Sequence, residues 1–269
     1  MPTLLIFGLG YTASHLATAL RQQGWDVLAT GSAGTMAFDD AASVRLALGA
    51  ATHVLSSVPP VADGDPVLNT YGAELTARRD LWLGYLSSTG VYGDTNGAWV
   101  DESAPIKGRR GSRNEADALW LARGARVFRL PGIYGPGRSA LERVREGKAH
   151  RIDLPDQVFS RVHVEDIVSG VVAAFAGPPG AYNLADDLPC SQNAVIEHAC
   201  RLTGAEMPPV QSMDEAGLSP MARAFYAENR RVANGKAKRL LGWTPRYPDY
   251  RAGLAACLGA GDPDLTSSA

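Results

Sequence analysis

Three small residues near the N-terminus, Gly8, Gly10 and Ala13, have the spacing of a dinucleotide-binding glycine motif. In such a motif Gly8 would permit a tight turn, Gly10 would let the backbone approach a pyrophosphate, and Ala13 would let a helix pack closely on a strand. Tyr11 and Thr12 would begin that helix and present free N–H groups and the positive end of the helix dipole to the anion. An ordinary strand-to-helix turn that contains two glycines is the alternative.

The segments on either side of the motif favour nucleotide binding. An uncharged apolar run over residues 3–7 precedes it, as expected for a strand buried on both faces. Apolar residues with helical spacing follow it at Leu16, Ala17, Ala19 and Leu20. The motif therefore stands between a predicted strand and a predicted helix, which is the context that a dinucleotide site requires.

The end of the second predicted strand, Trp25 to Thr30, bears on the choice of cofactor. An acidic residue here would bind the ribose hydroxyls of NAD, whereas Ser32 and its neighbours are small and neutral. This composition favours NADP, with Ser32 among its contacts, and NAD is the alternative. No arginine follows directly to pair with a 2′-phosphate, and Arg45 lies too far along the chain to be assigned.

Two later strand ends add candidate cofactor contacts. A third strand is expected to end at Phe38-Asp39-Asp40, where the carboxylate of Asp39 could reach the adenine amine; an N-cap for the next helix is an equally good interpretation. A fourth strand begins at Thr52 and ends near Ser57, which would contact the cofactor's ribose because strand ends line the ligand crevice of open α/β sheets. A plain strand terminus is the alternative for Ser57.

Composition limits the partners and the compartment. With 269 residues, of which 45% are hydrophobic and 20% charged, the chain can bury a large core without disulfides. A formal charge of −2 gives no general attraction to nucleic acid or to an anionic membrane. The sequence shows no signal-peptide pattern or membrane-spanning run, and its three cysteines lack metal-ligand spacing. We expect a cytoplasmic protein that binds a small molecule and no metal.

Four further segments, together with the glycine motif, carry a family resemblance over nearly the whole chain. They are Ser87-Ser-Thr-Gly-Val-Tyr-Gly93, Arg129-Leu-Pro-Gly-Ile-Tyr-Gly-Pro-Gly137, Val162-His-Val-Glu-Asp166 and Asn234-Gly-Lys-Ala-Lys-Arg-Leu-Leu-Gly-Trp-Thr-Pro245. In order and spacing they resemble the extended short-chain dehydrogenase/reductase superfamily, in its NAD-dependent epimerase/dehydratase branch. The resemblance makes a homodimer plausible.

The alternation of predicted strands and helices predicts a parallel, doubly wound sheet. With the resemblance, the expected fold is α/β, a Rossmann-type doubly wound parallel sheet with a smaller C-terminal α/β substrate lobe. We expect the dinucleotide-binding domain over residues 1–137 and about 164–176, and the substrate lobe over residues 138–163 and 177–262. A strand at 180–184 is expected in the smaller lobe, and residues 263–269 are expected to form a flexible tail.

The resemblance implies a catalytic Ser or Thr, which Ser88 matches, and a Tyr with a Lys four residues later. A strand-end hydroxyl that bonds the backbone is the alternative for Ser88. The Tyr-x-x-x-Lys pair is absent, and in its expected region Arg109 stands at the Tyr position and Arg113 at the Lys position. Because arginine stays protonated in proteins, Arg109 cannot be a general acid or base.

The arginines of this region have two interpretations. Ser112-x-x-Glu115 has the pattern of a capping box and predicts a helix from Arg113, with Arg109 in the preceding loop. Cations at a helix N-terminus oppose its dipole, so Arg109, Arg110 and Arg113 would meet an anion, either a cofactor phosphate or an acidic substrate. A solvated loop with unpaired arginines is the alternative.

A substitute proton donor would have to come from elsewhere around the crevice. Tyr92 follows a predicted strand over residues 81–86, Tyr134 follows one over residues 125–130, and His163 lies in a later motif. A packed tyrosine and a structural histidine are the preferred interpretations of these residues taken singly. The resemblance also implies that Pro131 backs the nicotinamide ring.

The resemblance places Tyr134, Arg161 and His163 on the substrate side. In nucleotide-sugar enzymes of the family an arginine four residues before this histidine clamps the diphosphate, whereas here Phe159 stands at that position and Arg161 is shifted by two. This departure argues against a nucleotide-sugar substrate.

Two functions follow from these observations. The first is an atypical NAD(P)-dependent oxidoreductase or epimerase acting on a sugar-like or other small hydroxy or carbonyl substrate, with Ser88, Tyr92 and Arg113 as candidate catalytic residues. The second is a non-catalytic NADP-binding redox sensor or regulatory protein. The missing Tyr and Lys favour the second, while Ser88, Tyr92 and the loop of Tyr134 favour the first.

Overall fold

The computed structural model describes residues 1–261, so the tail expected at 263–269 lies outside the described residues. The strands are β1 (Thr3–Phe7), β2 (Asp26–Ala29), β3 (His53–Ser56), β4 (Trp82–Ser88), β5 (Trp99–Val100), β6 (Arg126–Leu130), β7 (Gly132–Tyr134), β8 (Arg151–Ile152), β9 (Arg161–His163), β10 (Gly180–Asn183), β11 (Val210–Gln211) and β12 (Arg231–Val232). The helices are α1 (Tyr11–Gln22), α2 (Ala41–Ala50), α3 (Pro66–Ala77), α4 (Gly111–Ala122), α5 (Ala140–Arg145), α6 (Val164–Ala173), α7 (Gln192–Thr203), α8 (Pro220–Phe225), α9 (Gly235–Leu241) and α10 (Tyr250–Gly261), with a 3-10 turn over Thr89–Tyr92.

Six strands form one parallel sheet in the order β10-β6-β4-β3-β1-β2. The chain adds β2 on one side of β1 and then places β3, β4, β6 and β10 on the other side. This doubly wound arrangement confirms the predicted fold class, and the winding reverses between β1 and β3. In open α/β sheets, ligands bind outside the carboxyl ends of the strands at such a point.

Helices cover both faces of the sheet, which explains why β1 is buried over its whole length. On one face α1 and α6 pack against the strands through side chains that include Leu16 and Ile167. On the other face α2, α3 and α4 contribute Val44, Tyr71 and Trp120 to a second core. The carboxyl ends of the strands are thus held in place by two separate apolar layers.

The strand expected to end at Phe38-Asp39-Asp40 is absent from the structure, so that prediction was wrong. The chain after β2 instead turns back on itself at Gly34, and Thr35 donates its amide to the Ala29 carbonyl at 2.8 Å. A single bridge, Thr30 to Met36, replaces a ladder. A side chain at Gly34 would collide with the backbone of Ala29, so this turn depends on glycine.

The strand expected at 180–184 in the smaller lobe is instead the sixth strand of the central sheet. β10 pairs in parallel with β6, with Ala181 opposite Val127 and Tyr182 opposite Phe128. Tyr182 and Phe128 are both fully buried in the core that α1 and α6 cover, and this burial draws the strand into the main sheet. The expectation that this strand lies outside the central sheet was therefore wrong, and the domain division stays a prediction.

A third core lies among α5, α7 and α10. Leu141, Ile196 and Leu254 contribute apolar side chains from the three helices, and the free thiols of Cys200 and Cys257 are buried with them. None of the helices described over residues 1–261 has the length and apolar character needed to cross a membrane.

Candidate functional site

The glycine loop between β1 and α1 has the backbone that a pyrophosphate site needs. Gly8 has a φ of 83°, which favours glycine, and a Cβ there would lie 3.2 Å from Ser57 Oγ. Gly10 is exposed and extended, and apart from its two chain neighbours no described residue has a heavy atom within 4 Å of a Cβ added to it. Tyr11 and Thr12 then begin α1, which no side chain caps, so its first N–H groups have no side-chain partner within the described residues.

Side chains from the neighbouring strand ends hold this loop. Thr30 Oγ1, after β2, accepts a hydrogen bond from the Gly8 amide at 3.1 Å. Ser57, after β3, donates its hydroxyl to the Gly8 carbonyl. Ala13 is 1% exposed and lies in the core between α1 and the sheet. Ser57 thus positions the glycine loop, and its contact with a ribose stays a prediction.

The residues expected around the adenosine lie after β2. Ser32 is exposed and follows Gly31, whose φ of 116° turns the chain away from the strand. Arg45 pairs with Glu74 at 2.7 Å on the surface, so the chain itself supplies the partner of this arginine. The preference for NADP over NAD, and the contact of Ser32 with the cofactor, stay predictions.

Asp39 and Asp40 have different environments. Asp40 accepts a hydrogen bond from the Ser43 amide at 3.2 Å and caps α2, which matches the N-cap interpretation of this pair. Asp39 is exposed, and its contact with an adenine stays a prediction.

Tyr11 ties the start of α1 to the loop after β7. Its hydroxyl donates to the Pro136 carbonyl at 3.0 Å, and its ring lies 5.4 Å from the guanidinium of Arg138. Burial raises the pKa of Tyr11 to about 12, so its hydroxyl keeps its proton at neutral pH. This contact sets the start of α1 against the loop between β7 and α5.

A cavity of about 300 Å³ opens at the carboxyl ends of β4 and β6. Ser88 at the end of β4 and Pro131 after β6 both line it. Ser88 Oγ accepts the Gly90 amide at 3.1 Å, which leaves its own O–H hydrogen available as a donor. Ser88 therefore bonds the backbone and faces the cavity at the same time. The other lining residues are Thr89, Gly90, Arg109, Arg110, Arg113, Leu130, Gly132, Val158, Phe159, Ser160, Ala224, Phe225, Glu228, Arg230 and Val232.

A buried polar network fixes β4 and β6 behind this cavity. Arg129 on β6 donates two hydrogen bonds to Asp117 on α4, at 2.7 and 3.1 Å, and Ser87 on β4 donates to the same carboxylate at 2.7 Å. Arg129 also donates to the Tyr92 hydroxyl at 3.1 Å, and Tyr92 donates to Asn183 at 2.7 Å. Burial alone would lower the pKa of Arg129, but its hydrogen bonds to Asp117 and Tyr92 outweigh burial and raise it.

Tyr92 lies behind the cavity and does not line it. It is 2% exposed, and its hydroxyl has partners on both sides within the network. Burial raises its pKa, so it is not poised to give up a proton. This placement matches a packed loop tyrosine, and the catalytic role predicted for Tyr92 has no direct contact with the cavity to support it.

The start of α4 differs from the prediction. The helix begins at Gly111, two residues before Arg113, and Arg110 is its N-cap residue, with no side-chain cap. Its carbonyl accepts the amides of Arg113 and Asn114 at 3.0 and 3.2 Å. The prediction of a capping box at Ser112 and Glu115 was therefore wrong, because Ser112 lies inside the helix and not at its N-cap.

The loop before α4 is held tightly against the turn that follows Ser88. Gly108 donates its amide to the Val91 carbonyl at 2.8 Å, and a side chain at Gly108 would collide with the carbonyl of Gly90. Arg109 follows in the loop, as predicted. This close packing brings the arginine-rich loop to the mouth of the cavity.

The arginines divide into paired and unpaired groups. Glu228 Oε1 lies 2.7 Å from Arg109 Nε, and its Oε2 lies 2.6 Å from an Arg230 nitrogen. Burial alone would raise the pKa of Glu228, but the hydrogen bonds from both arginines lower it, so it is ionised. Within residues 1–261, Arg110 and Arg113 form no ion pair with a carboxylate. With four arginines and one glutamate, the lining has a formal charge of +3.

Sequence reasoning missed the C-terminal contribution to this cavity. Phe225 at the end of α8 stacks on Phe159, with ring centroids 4.4 Å apart and planes 6° apart. Glu228 and Arg230 follow a few residues later. The segment shows neither strand alternation nor helical spacing, and only its grouping of aromatic and charged residues could have marked it.

Asn229 explains why this irregular segment has a defined position. Its amide donates to Asp94 at 2.8 Å, its side-chain nitrogen donates to Asp156 at 2.9 Å, and its side-chain oxygen accepts the Val158 amide at 3.2 Å. β12 then pairs with β5 in the next residues. The flanking Glu228 and Arg230 are thereby held over the cavity.

The three residues expected on the substrate side lie elsewhere. Arg161 is 7% exposed and bonds the carbonyls of Phe159 and Cys190 at 2.9 and 3.2 Å. Tyr134 packs edge-on against His163, with ring centroids 5.2 Å apart. Each of the three is at most 8% exposed, and none lines the cavity. Their predicted contacts with substrate therefore find no support in the geometry.

His163 has a structural role at the start of α6. Its Nδ1 accepts the Glu165 amide at 3.3 Å, and its Nε2 lies 3.5 Å from Cys257 Sγ. Burial lowers its pKa to about 4, so the ring is neutral at physiological pH.

The fold has close counterparts among solved structures. It matches dTDP-glucose 4,6-dehydratase from Bacillus anthracis in complex with NAD, with a TM-score of 0.75 at 16% identity and 96% of each chain covered. It also matches ADP-L-glycero-D-manno-heptose-6-epimerase from Helicobacter pylori, with a TM-score of 0.76 at 17% identity and 96% of each chain covered. The protein therefore has the fold of the NAD-dependent epimerases and dehydratases.

A nearer relative defines the family. A functionally unknown conserved protein from Silicibacter pomeroyi is 42% identical, with a TM-score of 0.86 over 97% of this chain and 100% of its own. The chain belongs to the same family as this protein.

One curated relative is a 3-diazoavenalumate denitrifying reductase from a Streptomyces species, 32% identical over 143 residues. The match spans 48% of this chain and less than half, 45%, of that protein. No protein-family model matches the chain.

Proposed function

We propose that the protein is an NAD(P)-dependent oxidoreductase or epimerase that acts on a small hydroxy or carbonyl compound. The observation that carries this proposal is that the glycine loop and the cavity lined by Ser88 lie at the same edge of the sheet. The glycine loop follows β1, and the cavity of Ser88 follows β4 and β6. Because β1, β3, β4 and β6 run parallel, their carboxyl ends share this edge.

The glycine loop fits a dinucleotide on structural grounds. Gly10 leaves the space of a side chain empty, and the start of α1 has no side-chain cap, so its first N–H groups can bind an anion. Gly8, Gly10, Tyr11, Thr12 and Ala13 would hold the pyrophosphate. Ser57 would lie near a ribose and Pro131 near the nicotinamide, and NADP is preferred over NAD because the end of β2 is neutral. When bound, such a cofactor supplies or accepts a hydride.

The chain's own contribution to the chemistry centres on Ser88. With its oxygen already accepting the Gly90 amide, its hydroxyl can donate to a substrate oxygen in the cavity. Arg113 lines the same cavity and stays protonated, so it would stabilise negative charge there without exchanging a proton. A proton, where one is needed, would come from solvent.

A non-catalytic NADP-binding sensor is the second candidate. The observation in its favour is that the cavity, as formed by residues 1–261, is lined by no tyrosine, histidine or lysine. The ordinary proton donors near this edge, Tyr92, Tyr134 and His163, are all buried away from it.

Calorimetric titration with NADPH and NADH in parallel tests the cofactor. We expect saturable binding of NADPH, with NADH weaker. Folded protein that has no copurified cofactor and binds neither would contradict both candidate functions.

The Ser88→Ala variant separates the two candidates. In a screen of small carbonyl compounds followed by nicotinamide absorbance, wild-type protein should turn over a substrate and Ser88→Ala should lose that turnover while still binding NADPH. Ser112→Ala, which alters a hydroxyl outside the cavity lining, is the control. Turnover that survives in Ser88→Ala would remove Ser88 from the mechanism. If the wild-type protein binds NADPH but turns over none of the compounds, the sensor is favoured.

A further inference from the structure

The cavity beside Ser88 carries positive charge that the described chain does not neutralise. Glu228 is the one carboxylate in its lining, and Arg109 and Arg230 already share it. Arg110 and Arg113 line the same space without a carboxylate partner among residues 1–261. The unpaired charge thus lies on two residues at the start of α4.

Arg113 occupies an unfavourable position unless an anion joins it. It stands in the first turn of α4, where the helix dipole disfavours a cation, and it is half-buried. A guanidinium group binds a planar carboxylate through two parallel hydrogen bonds, a geometry that water molecules do not match. An incoming anion would offset both the dipole and the partial loss of water around Arg113.

The lining also has an apolar part. Phe159 and Phe225 stack in parallel, and Phe225 is 49% exposed, which is a large fraction for an aromatic ring. Leu130, Val158 and Val232 also line this space. Phe159 is 7% exposed beneath this stack, so a planar apolar group would lie against Phe225, and a stacked contact between rings adds to the gain from burial.

The size of the cavity favours a small ligand. About 300 Å³ is at the lower end of the roughly 300–1,000 Å³ that small-ligand sites occupy. The nicotinamide end of a cofactor would take part of this space. A nucleoside diphosphate sugar would extend beyond this space, and Phe159 stands where a diphosphate clamp was expected.

We infer that the substrate is a small planar carboxylate whose anionic group binds Arg110 and Arg113 and whose apolar part lies against the exposed ring of Phe225. This inference rests on the proposed function, because it assigns the substrate of that same site. The carboxylate would anchor the molecule at the arginines and hold a different part of it over Ser88.

Binding of defined probes tests the inference without turnover. We would titrate NADPH-saturated protein with trans-cinnamate, its neutral amide trans-cinnamamide, inorganic phosphate and UDP-glucose, using calorimetry at low and high salt. We expect cinnamate to bind at least about tenfold more tightly than the amide. Hydrogen bonds from arginine to a charged carboxylate are stronger than those to a neutral amide. Its affinity should fall as salt rises.

Three variants locate the charge. Arg113→Gln should weaken cinnamate binding about tenfold and leave cinnamamide unchanged, while Arg113→Lys should retain part of the affinity. Arg145→Gln, an exposed arginine on α5 outside the lining, should behave as wild type. Thermal unfolding of each variant would show that the fold is intact.

The outcomes distinguish this inference from the proposed function. NADPH binding without cinnamate binding, or equal binding of cinnamate and its amide, would overturn the inference and leave the cofactor site standing. Phosphate or UDP-glucose binding more tightly than cinnamate would overturn the assignment of a small planar carboxylate. Cinnamate binding that depends on Arg113 in protein that fails to bind NADPH would instead overturn the proposed function.

Discussion

Glu228 Oε1 accepts a hydrogen bond from Arg109 Nε at 2.7 Å, which joins the loop before α4 to the segment before β12. Arg109 stands where a catalytic tyrosine was expected, and it is engaged by a carboxylate of its own chain. It therefore differs from Arg113, four residues later, which has no such partner in the described part of the chain. The same carboxylate also engages Arg230, so Glu228 controls how much positive charge the cavity presents.

Replacing Glu228 with Gln should have opposite effects on binding and on stability. Removing the carboxylate releases Arg109 and Arg230, so trans-cinnamate should bind severalfold more tightly than to wild type. The two guanidinium groups lose a charged partner, so the free energy of unfolding should fall by about 1–3 kcal/mol at pH 7. Calorimetry and urea unfolding measure the two effects, and weaker cinnamate binding would contradict this account of the cavity's charge.

The stability difference between wild type and Glu228→Gln should also depend on pH. The hydrogen bonds from Arg109 and Arg230 lower the pKa of Glu228 below its ordinary value of 4.5, against the effect of burial. A carboxyl with a lowered pKa stabilises the fold above its unfolded pKa and loses that contribution as pH falls through its folded pKa. The difference between the two proteins should therefore be constant from pH 7 to about 5 and shrink below about pH 4.5.

A different pH dependence should come from His163. Burial lowers its pKa from 6.5 to about 4, and the nearby Glu165 opposes this shift only in part. Between these two values the unfolded chain binds a proton that the folded chain does not, so stability falls as pH decreases. From pH 7 to 5 this histidine should account for a loss of about 2 kcal/mol. His163→Asn, which can still cap α6, should remove that part of the slope in urea unfolding, and His150→Asn is the control.

The buried pair of Arg129 and Asp117 should be the most sensitive point of the polar network. Their side chains are 3% and 2% exposed, so Asp117→Asn would leave the arginine charge buried with no counter-charge at the network's centre. We expect a loss of about 3 kcal/mol in the free energy of unfolding. Glu74→Gln breaks the exposed pair with Arg45 and should cost less than about 1 kcal/mol. Equal losses of unfolding free energy in the two variants would show that burial does not make the Arg129–Asp117 pair more important for stability than an exposed pair.

The parts of the fold that sequence alone predicted are those set by local pattern. The apolar run before Gly8 and the helical spacing after it specify strand, turn and helix within a few residues, because each depends on near neighbours. Ser88 was located by its motif, and the structure places it at the cavity. The fold class followed from repeated alternation of such units.

The missed parts depend on contacts between distant residues. β10 has no local feature that assigns it to one sheet or another, and its place beside β6 comes from packing of Tyr182 against Phe128. The contribution of Phe225 and Glu228 to the cavity requires the chain to return about 65 to 70 residues after Phe159. No periodicity within the segment predicts such a return.

Gly8 and Gly10 allow the cofactor site to be tested apart from folding. Gly8 has a φ of 83°, and a Cβ would lie 3.1 Å from Val58, so Gly8→Ala should destabilise the protein by about 1–2 kcal/mol. Gly10 has a φ of −85° and open space where its Cβ would be, so Gly10→Ala should leave the unfolding free energy within about 0.5 kcal/mol of wild type. The added methyl group would nonetheless occupy the space that a pyrophosphate needs, so NADPH binding should weaken about tenfold or more. Calorimetry and urea unfolding on both variants make the comparison. If Gly10→Ala bound NADPH like wild type, the pyrophosphate could not lie on this loop; if Gly10→Ala unfolded as easily as Gly8→Ala, its glycine would serve the fold and not a ligand.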